Sequence, residues 1–395
     1  MKTKQLLLVA VCMILNMISC KDSDSEIQSS TYSVSTKLQA EKLADEVWQE
    51  KLKQIESQYG TMWSSLLFEY NNLKMPVYIA IFGQKPADGR SLYISMHGGG
   101  NAPADTNNVQ WNNQKELYGP QEGVYIAPRA AVDDWNMWFR PFVDTLFQMI
   151  IQTAIVKQEV NPNKVYIMGY SAGGDGVYRI APRMADHWAA AAMMAGQPGE
   201  SSPLNLRNIG FTLWMGANDS AYNRNKLAIE YGKRLDSLQA ADPGGYVHET
   251  HIVAGAGHWM NNADTAAVDW MAKFRRNPYP ERIVWRQEES NPRRNFYYLS
   301  IPATEAKAGM EVRVDKNGNT IEILKNDYST LYINLNDKMM DLDKPVTVVS
   351  NGKQLFNGMV ERKAEHIRAS ADERGDREYI FSAVLEVKND NVNVK

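Results

Sequence analysis

Cysteine is nearly absent from this chain. Only Cys12 and Cys20 occur among its 395 residues, both in the N-terminal segment. The body beyond residue 20 therefore has no disulfide and no thiol nucleophile, and Cys-rich zinc sites are excluded. Charge of one sign is also lacking: 43 basic against 46 acidic residues leave a net charge of -3. With no basic stripe interleaved with aromatics, nucleic acid is excluded as an expected partner. No apolar run is long enough to span a bilayer as a helix. No internal repeat is evident, no long hydrophobic lid of the lipase kind is present, and no acidic specificity pocket can be assigned. With 44% apolar and 23% charged residues, the body has the balance of an ordinary globular chain long enough for more than one domain.

The first twenty residues differ from the rest. Lys2 and Lys4 form a basic start, Leu6 to Ile18 an apolar stretch, and Ser19-Cys20 closes it, the pattern of a cleaved export signal. The cysteine at this boundary resembles a bacterial lipobox, with Met17 where leucine is usual; the resemblance implies that Cys20 is lipidated and anchors the protein to a membrane. Lys21-Asp-Ser-Asp-Ser-Glu26 resembles the acidic tag that sends lipoproteins of the Bacteroides group to the outer cell surface. The alternative is an ordinary secretory peptide followed by a solvated linker. Either reading makes residues 1–20 a signal and 21–34 a flexible tether.

From Ser35 to Gln58 apolar residues recur at helical period among charges, which predicts an amphipathic helix packed on the domain behind it. Short strands are expected at Leu67–Tyr70, Pro76–Phe82 and Ser91–Met96. Strands then alternate with helices: strands at Gly123–Ala127, Lys164–Met168, Trp188–Ala195, Phe211–Met215 and Tyr246–Val253; helices at Pro141–Gln158, Ala172–Ala185, Tyr222–Leu238 and Asp264–Phe274. This rhythm predicts an α/β domain over residues 35–280, its mostly parallel sheet covered by helices on both faces. Beyond Pro278-Tyr-Pro280 only short strands follow, among them Phe296–Leu299. Asn317-Gly318 and Asn351-Gly352 act as hairpin turns, a charged helix covers Glu361–Arg374, and a last strand covers Tyr379–Val387. Residues 281–395 thus read as a smaller, mainly-β domain without a catalytic constellation. It could dock a partner or a glycan. Bracing the larger domain is the simpler role, because interdomain packing needs no special site.

Gly169-Tyr-Ser171-Ala-Gly173 lies between an expected strand and an expected helix. Five letters alone are weak, but strand, sharp turn and helix together form a nucleophile elbow, in which the serine takes a strained backbone angle above the sheet. A side chain at 169 or 173 would collide with its neighbours there. A serine hydroxyl needs a base, and the base a carboxylate. His97 belongs to a glycine-rich turn, His187 follows the elbow helix, His248 and His251 are inside a strand, and His366 is in the C-terminal part. His258 remains, in Gly255-Ala-Gly-His258-Trp259, a loop leaving the carboxyl end of the sheet where ligands bind in open α/β folds. His248 and His251, three apart in a strand, point to opposite faces and share no metal ion.

Asp219, at the end of Gly216-Ala-Asn-Asp219, lies at the same sheet edge, with Asp264 in reserve. The oxyanion requires backbone donors: Ala172 supplies one, and Met96-His97-Gly98-Gly99-Gly100 the other, through Gly98 or Gly99. Trp111, Trp135, Trp138 and Trp259 fall in loops after sheet strands. They could stack a sugar or phenolic ring, or equally close a small core.

In this order and on these elements, His-Gly-Gly-Gly, Gly-Tyr-Ser-Ala-Gly-Gly, Gly-Ala-Asn-Asp and Gly-His-Trp resemble the α/β-hydrolase superfamily over about residues 66–276. They look particularly like its extracellular esterases akin to polyhydroxybutyrate depolymerases, feruloyl esterases and acetylxylan esterases. The resemblance implies a triad of Ser171, Asp219 and His258, an oxyanion hole at Gly98 and Ala172, and no cofactor. The expected function is a cell-surface serine esterase removing acetyl or feruloyl groups from an acylated saccharide. The alternatives are a prolyl-oligopeptidase-like serine peptidase, for whose large propeller the segment before Leu66 has no room, and a glycan-binding protein on an inactive hydrolase scaffold. The sequence sets neither the oligomeric state nor the acyl group.

Overall fold

A computed structural model describes residues 34–289 and 291–395. The export signal with Cys20, and the tether up to residue 33, lie outside the described residues.

Helix α1 (Lys37–Ser65) starts at a capping box: the Thr36 hydroxyl accepts from the Gln39 amide, and the Gln39 side chain accepts from the Thr36 amide. It runs seven residues beyond the expected end at Gln58, because Tyr59, Met62 and Trp63 prolong the stripe that packs on the core. Two short strands follow, β1 (Leu67–Tyr70) and β2 (Leu73–Phe82), paired antiparallel. Asn71 and Asn72 join them, both with positive φ, as a tight two-residue hairpin requires.

The chain then alternates through β3 (Arg90–Met96), α2 (Ala104–Leu117), β4 (Gly123–Pro128), α3 (Pro141–Gln158), β5 (Val160–Tyr170), α4 (Ala172–Arg183), β6 (Ala190–Met194), β7 (Gly210–Gly216), α5 (Arg224–Ala241), β8 (His248–Val253) and α6 (Ala266–Met271). These strands form one eight-stranded sheet in the order β1-β2-β4-β3-β5-β6-β7-β8, parallel from β4 through β8. This is the expected α/β class, and the topology is that of an α/β-hydrolase sheet. The chain leaves β3 toward β4 on one side and leaves β5 toward β6 on the other. The crevice beyond the carboxyl ends of these two adjacent strands is therefore the switch point at which open α/β sheets bind ligands.

The remaining residues form two five-stranded sheets. One has the order β10-β11-β14-β17-β18, from β10 (Asn295–Phe296), β11 (Leu299–Ser300), β14 (Thr330–Leu335), β17 (Ala383–Lys388) and β18 (Asn391–Val394). The other has the order β16-β15-β13-β12-β9, from β9 (Arg282–Arg286), β12 (Glu311–Asn317), β13 (Thr320–Asn326), β15 (Val346–Ser350) and β16 (Lys353–Gly358). Helix α7 (Ala364–Arg374) packs Ile367 and Ala371 against Leu43, Val47 and Trp48 of α1. Trp285 and Phe296 stack at 5.6 Å between the two sheets.

Two of the strands expected beyond residue 280 differ. Phe296–Leu299 is broken at Tyr297, whose φ is 53°; the buried hydroxyls of Tyr297 and Tyr298 bind the carbonyls of Ala185 and Pro280 instead of letting the strand run on. The last strand begins at Ala383 rather than Tyr379, because the Tyr379 hydroxyl donates to the Asp186 carbonyl at 2.8 Å. Asp186 is fully buried and pairs with Arg374, while Arg276 pairs with Asp376 at 2.7 Å. One continuous apolar core extends from the large sheet into both smaller ones.

Candidate active site

Strand β5 delivers Ser171 at its carboxyl end with φ 56° and ψ -117°, outside the usual regions for a non-glycine residue. The strain is held from both sides. The Ser171 amide donates to the Met194 carbonyl at 2.9 Å, and the Ser171 carbonyl accepts from the Asp175 amide at 2.9 Å. The two motif glycines make the reversal possible: a Cβ on Gly169 would lie 2.4 Å from the Gly173 carbonyl oxygen, and one on Gly173 2.1 Å from that of Met96.

Strand β7 ends at Gly216, and the next three residues bring Asp219 back over the sheet edge. This turn is tied to the loop after β8 by the amides of Ala217 and Asn218, which donate to the carbonyls of Val253 and Ala256 at 2.9 and 2.8 Å. Asp219 is 3% exposed. Its Oδ2 lies 2.7 Å from His258 Nδ1, and His258 Nε2 lies 2.9 Å from Ser171 Oγ. A buried carboxylate only accepts, so Nδ1 carries the proton and Nε2 is left to accept from the serine hydroxyl. Three side chains up to 87 residues apart thus form one hydrogen-bonded row. The reserve carboxylate Asp264 is elsewhere, accepting from the Tyr118 hydroxyl. His187, His248, His251 and His366 are bound to Asp186, Asp236, Glu249 and the Lys395 carbonyl.

Tyr170 was not singled out in the sequence. Its hydroxyl donates to the His258 carbonyl, and its ring lies edge-on to the imidazole at 5.7 Å, so the residue beside the nucleophile also holds the histidine loop. Burial pushes the phenol well above its ordinary pKa, so the donor stays protonated. Its only signal was its place inside the motif.

His97 is buried beneath the glycines. Its Nδ1–H donates to the Gly98 carbonyl at 2.6 Å, and Nε2 accepts from the Ala130 amide at 3.1 Å. Burial lowers its pKa to about 4, so the ring stays neutral in this bonding pattern. A Cβ on Gly98 would come within 3.1 Å of Ser171 Cβ. Gly99 turns away at φ 102° against Asn107, and the Gly100 amide donates to Asn107 Oδ1 at 2.8 Å. Of the two candidates, Gly98 is the one set against the nucleophile, across from Ala172 at the start of α4.

The four tryptophans separate. Trp138 is fully buried, and its indole N–H donates to the His97 carbonyl at 2.8 Å, so it supports the glycine turn and offers no face to a ligand. Trp111 lies on α2 rather than in a loop; its N–H donates to the Ala127 carbonyl and the Lys115 ammonium covers its ring at 3.6 Å. Trp135 and Trp259 are 62% and 49% exposed. Trp259 packs on Tyr170 at 5.9 Å. The Trp135 Cα and the Ala172 Cβ both lie 3.6 Å from where a Cβ on Gly100 would stand. Trp259 thus packs on the residue before Ser171, and the Trp135 backbone and the residue after Ser171 both border Gly100. Among the described residues, no group of three or more His, Cys, Asp and Glu side chains could hold a metal ion.

No protein-family model and no curated protein matches the chain. Several solved structures are similar in part. A thermostable esterase aligns at 18% identity and a TM-score of 0.40 over 53% of this chain, which spans 62% of that protein. A feruloyl esterase module from Clostridium thermocellum complexed with sinapinate aligns at 16% identity and 0.37, over 53% of this chain and 86% of the other. An S-formylglutathione hydrolase from Staphylococcus aureus aligns at 13% identity and 0.36, over 52% and 97%.

Proposed function

We propose that this protein is a serine hydrolase that cleaves carboxylic esters through an acyl-enzyme. The observation that carries this reading is the row from Ser171 Oγ to His258 Nε2 at 2.9 Å and from His258 Nδ1 to Asp219 Oδ2 at 2.7 Å. His258 takes the serine proton as Oγ attacks the ester carbonyl, and the buried Asp219 stabilises the imidazolium that forms. The oxyanion accepts from the amides of Ala172 and Gly98. The imidazolium then gives its proton to the departing alkoxide, and water, deprotonated by the same histidine, releases the acid.

The substrate is an acetylated or feruloylated saccharide. Two exposed indoles, Trp259 next to His258 and Trp135 on the loop against Gly100, support this, since an aromatic face suits a sugar or phenolic ring. The N-terminal signal supports a site of action at the outer cell surface, with a lipid on Cys20 anchoring the protein to the membrane. The test uses p-nitrophenyl acetate. The wild type hydrolyses it and Ser171→Ala reduces kcat at least ~10⁴-fold. No hydrolysis, or undiminished hydrolysis by the variant, contradicts the reading, and peptidyl amides cleaved faster than esters would point to the peptidase instead.

A further inference from the structure

Helix α4 is buried except at two positions, Asp175 and Arg179, which follow Ser171 at intervals of one turn and are half-exposed like it. The three residues share one stripe. Arg179 is held on both sides of the stripe. Its guanidinium carbon lies 4.2 Å from the centre of the Phe139 ring, and that ring packs edge-on to Trp135 at 5.3 Å. Nη1 donates to the carbonyls of Asp175 and Gln197 at 2.9 and 3.0 Å. Among the described residues no acceptor takes the Nε or Nη2 hydrogens. A Cβ on Gly199 would lie 2.2 Å from Nη2, so the bare backbone there packs beside the guanidinium and makes room for it. Asp175 and Glu288 act on the guanidinium through space without forming an ion pair with it. Asp175 Oδ1 accepts from the Gln197 amide at 2.6 Å, and no described donor reaches Oδ2.

We propose that Trp135, Asp175 and Arg179 form the subsite for the sugar ring of an acylated saccharide, next to Ser171. A sugar ring presents an apolar C–H face and a rim of hydroxyls, each both donor and acceptor. The exposed indole takes the face, Asp175 Oδ2 accepts from one hydroxyl, and the Nε–Nη2 edge of Arg179 donates to its neighbour. Tying the Gln197 turn to the helix uses only Nη1, so that structural role leaves the Nε and Nη2 hydrogens without an acceptor among the described residues. Stacking on Phe139 and the two carbonyl bonds hold the guanidinium in place beforehand, which reduces the entropy lost on binding.

This assignment rests on the esterase reading, and two substrates separate the two claims. kcat/KM is measured for p-nitrophenyl acetate and for acetylated xylotetraose with the wild type, Arg179→Gln and Trp135→Ala. Trp135 is exposed, so its variant does not depend on the stability of the core. The saccharide-to-nitrophenyl ratio is expected to fall about 10- to 100-fold in Arg179→Gln and about 10-fold in Trp135→Ala, mainly through KM. A ratio unchanged in both variants overturns the subsite. So does a wild type that hydrolyses the nitrophenyl ester but not the saccharide, while leaving the esterase reading in place. A wild type that hydrolyses neither overturns both.

Discussion

Gly216 and Gly257 meet without room for a side chain: a Cβ on Gly216 would lie 1.9 Å from the Gly257 carbonyl oxygen. Gly216 ends the strand that leads to Asp219, and Gly257 immediately precedes His258. The contact therefore sets the spacing between the carboxylate loop and the imidazole loop. Gly216→Ala is expected to displace His258 and lower kcat about 10²-fold, the scale of a 1 Å misplacement in an active site. A steady-state assay on p-nitrophenyl acetate checks this, and an unchanged kcat would show that the two loops are positioned independently.

Asp219→Asn keeps the shape of the triad but can donate from its amide to Nδ1, which stabilises the tautomer with the proton on Nε2. The base then faces Ser171 with a proton it cannot accept. A loss of about 10³- to 10⁴-fold in kcat is expected, with KM little changed, measured by initial rates on the same ester.

Glu288 is buried, and among the described residues no donor bonds its Oε1. Burial pushes its pKa up to about 7, although Arg183 and Arg286 pull it down. The folded state holds this proton more tightly than the unfolded chain, whose carboxyl titrates near 4.5. Its contribution is therefore complete below about pH 4.5 and is lost as pH rises toward 7. Glu288→Gln should equal the wild type in stability near pH 4.5 and exceed it at pH 8 by on the order of 2 kcal/mol. Denaturant melts at the two pH values check the sign; a variant less stable at pH 8 contradicts it.

What could be read from the sequence is what glycine and strand ends mark. The elbow at Ser171, the turn at Gly98 and the loops carrying Asp219 and His258 each follow an apolar strand and contain glycine, so their order and sheet edge were legible. Helix α2 was not. It buries Asn107 and Gln114, which bond the Gly100 amide and Ser95 Oγ, so its inner face is polar and no hydrophobic period shows it. Strand β18, Asn391–Val394, does alternate, with Val392 and Val394 packed on the core, but four residues are too short a run to stand out. The tryptophans show a different limit: Trp135 and Trp138 are three positions apart within one turn, one open and one fully buried, and composition does not distinguish them.

The measurement closest to the central claim is covalent. Incubating the protein with a fluorophosphonate and mapping the adduct by peptide mass spectrometry should place one phosphonyl group on Ser171. His258→Ala should slow its formation and Ser171→Ala abolish it. No adduct, or labelling undiminished in Ser171→Ala, would contradict the account.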